Sequence, residues 1–310
     1  MRLLKRIAIL VFVVFLAFGS GVALRQFKKQ VVDRKSVAIR VEVPFEYVDY
    51  ELLSLINFLE YLFEENNYSF KGVTYGGNMY SKDLDDAYIN VFVRGYAQGF
   101  DKRVSDEKFD VFLVHRLGNL YQEEFRNYDY YLGIYKEVVD VLASLNNGKA
   151  SVLPLGGAKN KLLKPNYKYD VLYICEFGEK YLNYLTNINP NSKMYNGFDF
   201  AKLSQKERED ELKSAKVVLY LANFEKDMRY VPYALFDIIS YGRPVLVDSN
   251  HIKGSILEGK VVTYESWEML PQRLNDILKQ SDEDRENNAK KVRALLRKQN
   301  YKIDFFSKIL

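Results

Sequence analysis

Residues 215–250 read AKVVLYLANFEKDMRYVPYALFDIISYGRPVLVDSN and decide the fold class of this chain. The run KVVLYL at 216–221 is continuously apolar apart from its first residue, which is typical of a strand buried on both faces. A polar loop follows, then a short apolar helix over 232–240, a turn at Gly242 and Pro244, and another apolar strand at 245–248. This order of strand, helix and strand predicts a unit of a parallel sheet.

The same alternation continues in both directions from this stretch. Upstream, strands are predicted at 37–43, 87–93, 110–114, 128–134 and 150–155, with helices at 50–63 and 136–145. Downstream of residue 168, strands are predicted at 169–174 and 192–195, with helices at 179–185, 205–214, 266–280 and 283–298. The segment 156–167, GGAKNKLLKPNY, has glycine, proline and charge without apolar periodicity, which indicates an interdomain linker. We therefore expect an α/β protein with two Rossmann-like halves.

The first thirty residues form a separate element. Arg2, Lys5 and Arg6 precede an apolar run over 7–24, which is close to the shortest length that spans a membrane. The same pattern suits a cleaved secretory signal, and a buried helix is a third reading. Lysine and arginine are slightly more numerous on the C-terminal side of the run, which favours a cytoplasmic location for the remainder. We expect a single-pass anchor at 1–30 in the inner (cytoplasmic) membrane.

Composition excludes several kinds of site. The 310 residues include 45 basic and 41 acidic side chains, a net charge of +4 that predicts no strong global field for nucleic acid. One cysteine, Cys175, and two histidines, His115 and His251, leave few metal ligands, so we expect no metal site. Aromatic residues make up 15% of the chain, an excess that composition does not explain.

The stretch at 215–250 resembles the donor-binding segment of GT-B glycosyltransferases, in particular family 4 retaining enzymes and spore-maturation-type relatives. The resemblance covers residue 167 to the end, whereas over 36–155 it rests on the order of strands and helices alone. The matching positions are Pro232, Ala234, Asp237, Gly242, Pro244, Val245 and Val247. The resemblance implies an N-terminal acceptor domain at 36–160, a C-terminal donor domain at 165–300, and a terminal segment at 301–310 that packs back on the first domain.

The activity implied by this resemblance is transfer of a sugar from a nucleotide sugar to a glycan or lipid-linked acceptor, as in cell-surface glycan biosynthesis. A helix start offers unsatisfied amides and a positive dipole end to a diphosphate, so neither metal nor cofactor is needed. Asp237 would accept hydrogen bonds from the ribose hydroxyls, and His115 would contact the donor sugar as the candidate catalytic residue. The residues expected to bind the donor are Asp237, Arg229, Tyr230, Val231, Pro232, Tyr233, Gly242 and Lys226.

One departure from the family keeps a second reading open. Family 4 enzymes carry two acids eight positions apart, and the first of these positions holds Arg229. Arginine accepts no hydrogen bond but can hold a phosphate with two parallel bonds. The alternative is therefore a non-catalytic GT-B-like binding protein that has lost turnover. A periplasmic two-domain binding protein is a weaker possibility, because such proteins are not expected to carry PYALFDIISYGRPV.

Overall fold

The computed structural model describes residues 34–76, 87–93, 108–114, 128–134, 136–145, 147–176, 182–222, 231–299 and 301. Within these ranges, no helix is both long enough and apolar enough to cross a membrane. The anchor predicted at 1–30 lies outside the described residues.

The first half is built on a sheet of parallel strands in the spatial order β2-β1-β3-β4-β5-β6. Its strands are β1 (Ser36–Val41), β2 (Ser69–Tyr75), β3 (Ile89–Val93), β4 (Phe109–Val114), β5 (Tyr130–Gly133) and β6 (Ala150–Val152). Every residue of β1 and β3 is buried, as expected for central strands covered on both faces.

The second half holds another parallel sheet, in the order β11-β10-β9-β7-β8. Its strands are β7 (Tyr169–Cys175), β8 (Ser192–Asn196), β9 (Ala215–Leu221), β10 (Val245–Asp248) and β11 (Val262–Tyr264). Counted from the first strand of each half, both sheets begin with the order second, first, third, fourth, fifth. The order in which strands are added to the sheet thus reverses between β1 and β3 in one half and between β7 and β9 in the other. Ligands of such sheets bind beyond the carboxyl ends of the strands at this point.

Helices connect the strands and cover the sheets. The helices of the described residues are α1 (Tyr50–Glu65), α2 (Lys136–Leu145), α3 (Leu182–Ile188), α4 (Gly197–Lys202), α5 (Gln205–Ser214), α6 (Tyr233–Ser240), α7 (Leu270–Lys279) and α8 (Asp282–Arg297). Asp49 caps α1 by accepting a hydrogen bond from the amide of Leu52 at 2.8 Å. The two parallel sheets with their helices confirm the α/β fold with two Rossmann-like halves.

Helices α1 and α6 pack against each other and join the two halves into one continuous core. Aromatic side chains fill this junction: Phe58 stacks on Tyr233 with ring centroids 5.6 Å apart. Tyr50 meets Phe200 edge to face at 4.7 Å, and Tyr301 meets Phe58 at 5.2 Å. Part of the aromatic excess is thus interdomain packing. Tyr301 lies against the first half, while 302–310 fall outside the described residues.

Two elements lacked a clear sequence signal. Strand β2 carries Gly72 at a φ of 136°, and its register against β1 shifts between Val37 and Ala38. A glycine in an only partly buried strand weakens the apolar pattern that prediction relies on. Helix α4 is six residues long and begins with Gly197, so its local propensity is low.

Candidate functional site

Helix α6 begins where the two halves meet. Pro232 is its N-cap residue, with extended backbone angles (φ −63°, ψ 135°) and no side-chain capping bond. The first amides of a helix have no partner within the helix, so those of α6 need an acceptor from elsewhere.

Glu51 of the first half supplies that acceptor. Its Oε1 accepts from the amide of Tyr233 at 2.9 Å, and its Oε2 accepts from the amide of Ala234 at 2.8 Å. The Glu51 side chain is fully buried in the second position of α1. Two charge-assisted hydrogen bonds and the positive end of the helix dipole stabilise this carboxylate. The start of α6 therefore binds an anion in this structure, and that anion is a side chain of the chain itself.

Asp237, one turn further along α6, is also buried and also bonded across the junction. Its Oδ2 accepts from the Tyr50 hydroxyl at 2.8 Å, and its Oδ1 accepts from Asn160 Nδ2 at 2.6 Å. Burial raises the pKa of Asp237, although the hydrogen bonds from Tyr50 and Asn160 act in the opposite direction. Burial, followed by the charge of Asp237, raises the pKa of Tyr50 as well. The acid predicted to contact a ribose thus holds the halves together here.

The segment predicted as a linker is packed against α6. Asn160 Nδ2 also lies 2.7 Å from Ser240 Oγ, and Asn160 O accepts from Arg293 at 2.7 Å. A Cβ placed on Gly157 would lie 2.7 Å from the carbonyl oxygen of Phe236, so the backbones approach too closely for a side chain. Residues 156–167 form neither helix nor strand, as the sequence predicts, yet these contacts fix them. The strand predicted at 150–155 ends earlier, at Val152.

Acidic side chains lie near the carboxyl ends of β7 and β9, among the residues that the structure describes. Glu176 directly follows β7 and accepts a hydrogen bond from the Tyr220 hydroxyl of β9. Burial raises the pKa of Tyr220, and the charges of Glu176, Glu51 and Asp49 raise it further. The basic side chains expected to attract a diphosphate, Lys226 and Arg229, lie outside the described residues.

The other predicted site residues divide into three groups. Val231, Pro232 and Tyr233 lie at the start of α6, as expected. Gly242 forms the turn after α6, with a φ of 76°, and its amide donates to Ile239 O at 2.8 Å. It therefore lies beyond the far end of α6, whose eight residues span about 12 Å at about 1.5 Å per residue, and it does not join the group around Tyr233. His115 and Tyr230 fall outside the described residues.

Three residues at this junction had no signal in the sequence: Glu51, Tyr50 and Asn160. Each acts on α6 from more than seventy residues away along the chain. Only the pairing of the two halves brings them together, so no local pattern reveals them.

The described side chains also include potential metal ligands and one thiol. These residues contain no cluster of three or more His, Cys, Asp or Glu side chains suited to a metal. Cys175 is buried, and burial raises the pKa of its thiol to about 12, which keeps it protonated and unreactive at neutral pH.

Comparison with solved structures identifies similar folds. An α-glucosyltransferase in complex with UDP superposes with a TM-score of 0.61 at 9% identity, over 88% of this chain and 98% of that one. An α-glucosyltransferase bound to UDP-glucose and abasic-site DNA gives 0.58 at 10% identity, over 88% and 98% of the two chains. A DNA-modifying β-glucosyltransferase gives 0.50 at 11% identity, over 85% and 94%.

No protein-family model and no curated protein sequence matches this chain. At such low identity the structural likeness shows the fold alone. The chain has the two-domain α/β arrangement of GT-B glycosyltransferases that the sequence predicts, while the finer resemblance to family 4 or to spore-maturation-type enzymes stays a prediction.

Proposed function

We propose that this chain is a glycosyltransferase that transfers a sugar from a nucleotide-sugar donor to a glycan or lipid-linked acceptor, without a metal or cofactor. The fold shared with glucosyltransferases solved with UDP and UDP-glucose supports this proposal. The segment at 215–250 supports it independently, through its resemblance to a donor-binding segment.

The observation that carries the proposal is the anion at the start of α6. The Glu51 carboxylate stands in for a phosphate group of the donor, since both present oxygens that accept from backbone amides. The position also agrees with the topology, because α6 follows β9, which neighbours β7 where the strand order of the second sheet reverses. A diphosphate at this place would require Glu51 to withdraw. A small movement between the halves would permit this, because α1 belongs to the first half and α6 to the second.

The roles of the site residues follow from their chemistry. The amides of Tyr233 and Ala234, with Lys226 and Arg229 from the sequence that precedes α6, would stabilise the negative charge that develops on the leaving nucleotide diphosphate. Asp237 would accept from the ribose hydroxyls after exchanging its bond with Tyr50 or Asn160. His115, which follows β4 in the sequence, would contact the donor sugar.

The position of Glu51 at the start of α6 also favours a second candidate function, that of a non-catalytic binding protein. If Glu51 holds α6 permanently, the donor has no place at the helix start and the halves serve only as a shell. Arg229, in the position of the first family acid, agrees with this reading.

Calorimetric titration of the full chain with UDP, CDP, GDP and ADP tests the proposal. We expect one of them to bind with a micromolar to millimolar dissociation constant, and the corresponding nucleotide sugar to be slowly hydrolysed. Folded protein that binds none of the four at millimolar concentration would contradict donor binding. Binding without hydrolysis or transfer would favour the non-catalytic protein.

Location is part of the proposal. We propose that residues 1–30 anchor the chain in the inner membrane with the two halves on the cytoplasmic side, because bacterial nucleotide sugars are cytoplasmic. A reporter fused to the C-terminus should be active only if it functions in the cytoplasm. Activity of a reporter that works only outside the membrane would contradict this arrangement.

A further inference from the structure

A polar cavity of about 270 Å³ lies beside the junction of the two halves. It is open to solvent and is lined by residues of α1, the segment 158–160, the first turns of α5, and the second half and end of α6. The residues that line it are Asn57, Glu60, Tyr61, Glu64, Ala158, Lys159, Asn160, Gln205, Arg208, Asp237 and Tyr241. Neither Glu51 nor Tyr233 lines it, so the cavity is separate from the start of α6.

The charges of the lining disfavour an anion. Glu60, Glu64 and Asp237 contribute carboxyl groups, against two cationic side chains, Lys159 and Arg208. Both cations are already engaged: Lys159 Nζ lies 2.9 Å from Glu65 Oε1. The Arg208 guanidinium donates to the carbonyl oxygens of Ala201, at 3.1 Å, and Leu203. A phosphate or a nucleotide would therefore meet a lining with more carboxyl groups than cations, and Lys159 and Arg208 already donate to other groups.

A metal ion and an apolar ligand suit the cavity no better. No group of three or more carboxylate, histidine or cysteine side chains converges for a metal in the part of the chain that is described. The aliphatic part of the lining is small, since Ala158 is the one residue there without a polar side chain.

The remaining chemistry suits hydroxyl groups. The side-chain amides of Asn57, Asn160 and Gln205 both donate and accept, and carboxylates accept two or more bonds per group. Tyr61 and Tyr241 add phenol hydroxyls and ring faces on which C–H groups can pack. Dense donors and acceptors beside aromatic rings match an uncharged polyhydroxyl compound.

We propose that this cavity binds a saccharide, with Glu60 and Asn57 accepting from its hydroxyls. The inference rests on the proposed function only in naming the saccharide as part of the acceptor. Binding of a sugar at this place does not depend on donor binding at the start of α6.

Saturation-transfer difference NMR on the full chain tests the proposal, with glucose, galactose, N-acetylglucosamine and maltose as the probes. We expect at least one of these sugars to give a signal with the wild-type chain. Asn57→Trp, which fills the cavity, should abolish that signal. Glu60→Gln, which keeps the shape but removes the charge, should weaken binding about tenfold because hydrogen bonds to charged groups are the stronger ones.

Glu283→Gln on the exposed first turn of α8 is the matched control and should leave sugar binding unchanged. Circular dichroism establishes whether each variant is folded. If Asn57→Trp does not fold, the result for Glu60→Gln alone tests the saccharide proposal. Absence of signal from all four sugars with wild-type protein, or an undiminished signal in folded Glu60→Gln and Asn57→Trp, would overturn the proposal. A UDP titration run in parallel separates the two hypotheses, because loss of nucleotide binding alone contradicts only the proposed function.

Discussion

Two buried glutamates of this chain, Glu286 and Glu51, are held in different ways. Glu286 in α8 is 6% exposed and pairs with the Arg243 guanidinium at 2.9 and 3.1 Å, while the Tyr167 hydroxyl donates to it at 2.6 Å. Arg243 also donates to the carbonyl oxygen of Ala215 at 2.7 Å. Glu51 instead receives two backbone amides from the opposite half.

The two glutamates differ in what would be left behind if the carboxylate withdrew. Withdrawal of Glu286 would leave a cation buried within the second half, which is costly in a low-dielectric interior. Withdrawal of Glu51 would leave two amides and a helix dipole, which another anion can satisfy equally well. The comparison therefore predicts that Glu286 serves stability, whereas our proposal requires that another anion can take the place of Glu51.

Removing the charge of Glu286 should have the largest effect. We expect Glu286→Gln to lower the free energy of unfolding by about 3–5 kcal/mol, because Arg243 stays buried without its counter-ion. Urea unfolding measures this change. Glu283→Gln in the exposed first turn of the same helix is the control and should cost less than about 1 kcal/mol, the contribution of an exposed acid near a helix N-terminus. A loss below about 1 kcal/mol for Glu286→Gln would mean that the pair is not a structural charge pair.

Tyr50→Phe should have the next largest effect. It removes the hydroxyl that donates to buried Asp237, and a hydrogen bond to a charged group contributes about 1.5–3 kcal/mol. Tyr184→Phe, whose exposed hydroxyl donates to Trp267 O at 3.0 Å, should cost less than about 1 kcal/mol. Equal losses in the free energy of unfolding for the two variants would show that the Tyr50–Asp237 hydrogen bond stabilises the fold no more than an exposed hydrogen bond does.

Glu51→Gln should destabilise the fold less than Glu286→Gln does. Glutamine still accepts one amide bond but loses the charge that the helix dipole favours, which costs about 1–2 kcal/mol. The same urea series measures it, with Glu283→Gln as reference. A loss as large as that of Glu286→Gln would break the comparison and favour a permanent role for Glu51 in holding α6.

The pH dependence of stability should carry a small contribution from Asp237. Its pKa in the folded chain is raised above the ordinary 3.8, so the folded state keeps a proton that the unfolded chain has released between the two values. Stability of the wild type relative to Asp237→Asn should therefore fall as pH rises through that window, by about 1.4 kcal/mol per unit of pKa difference. Urea unfolding of both proteins between pH 4 and 7 measures this. A constant difference, or a rise with pH, would contradict the raised pKa.

The sequence predicts much of the fold because its central strands, such as β3, β7 and β9, are largely apolar runs with clear breaks. The predicted bounds of the helices at 136–145 and 205–214 and of the strand at 245–248 match the structure, and the two-sheet division follows from the restart at residue 169. Strand β2 escaped prediction because Gly72 interrupts its pattern. The start of α6 was recognisable from Pro232, but its occupant was not, because Glu51 reaches it only through the docking of the two halves.

The most direct test of the central claim compares nucleotide diphosphate binding by wild type and Glu51→Gln. If the Glu51 carboxylate occupies the place of a phosphate, its neutralisation should tighten binding of the preferred nucleotide about tenfold, or ~1.4 kcal/mol. The control Glu283→Gln should leave the dissociation constant unchanged. Calorimetric titration that shows equal or weaker binding by folded Glu51→Gln would contradict the claim that the start of α6 is the donor's anion site.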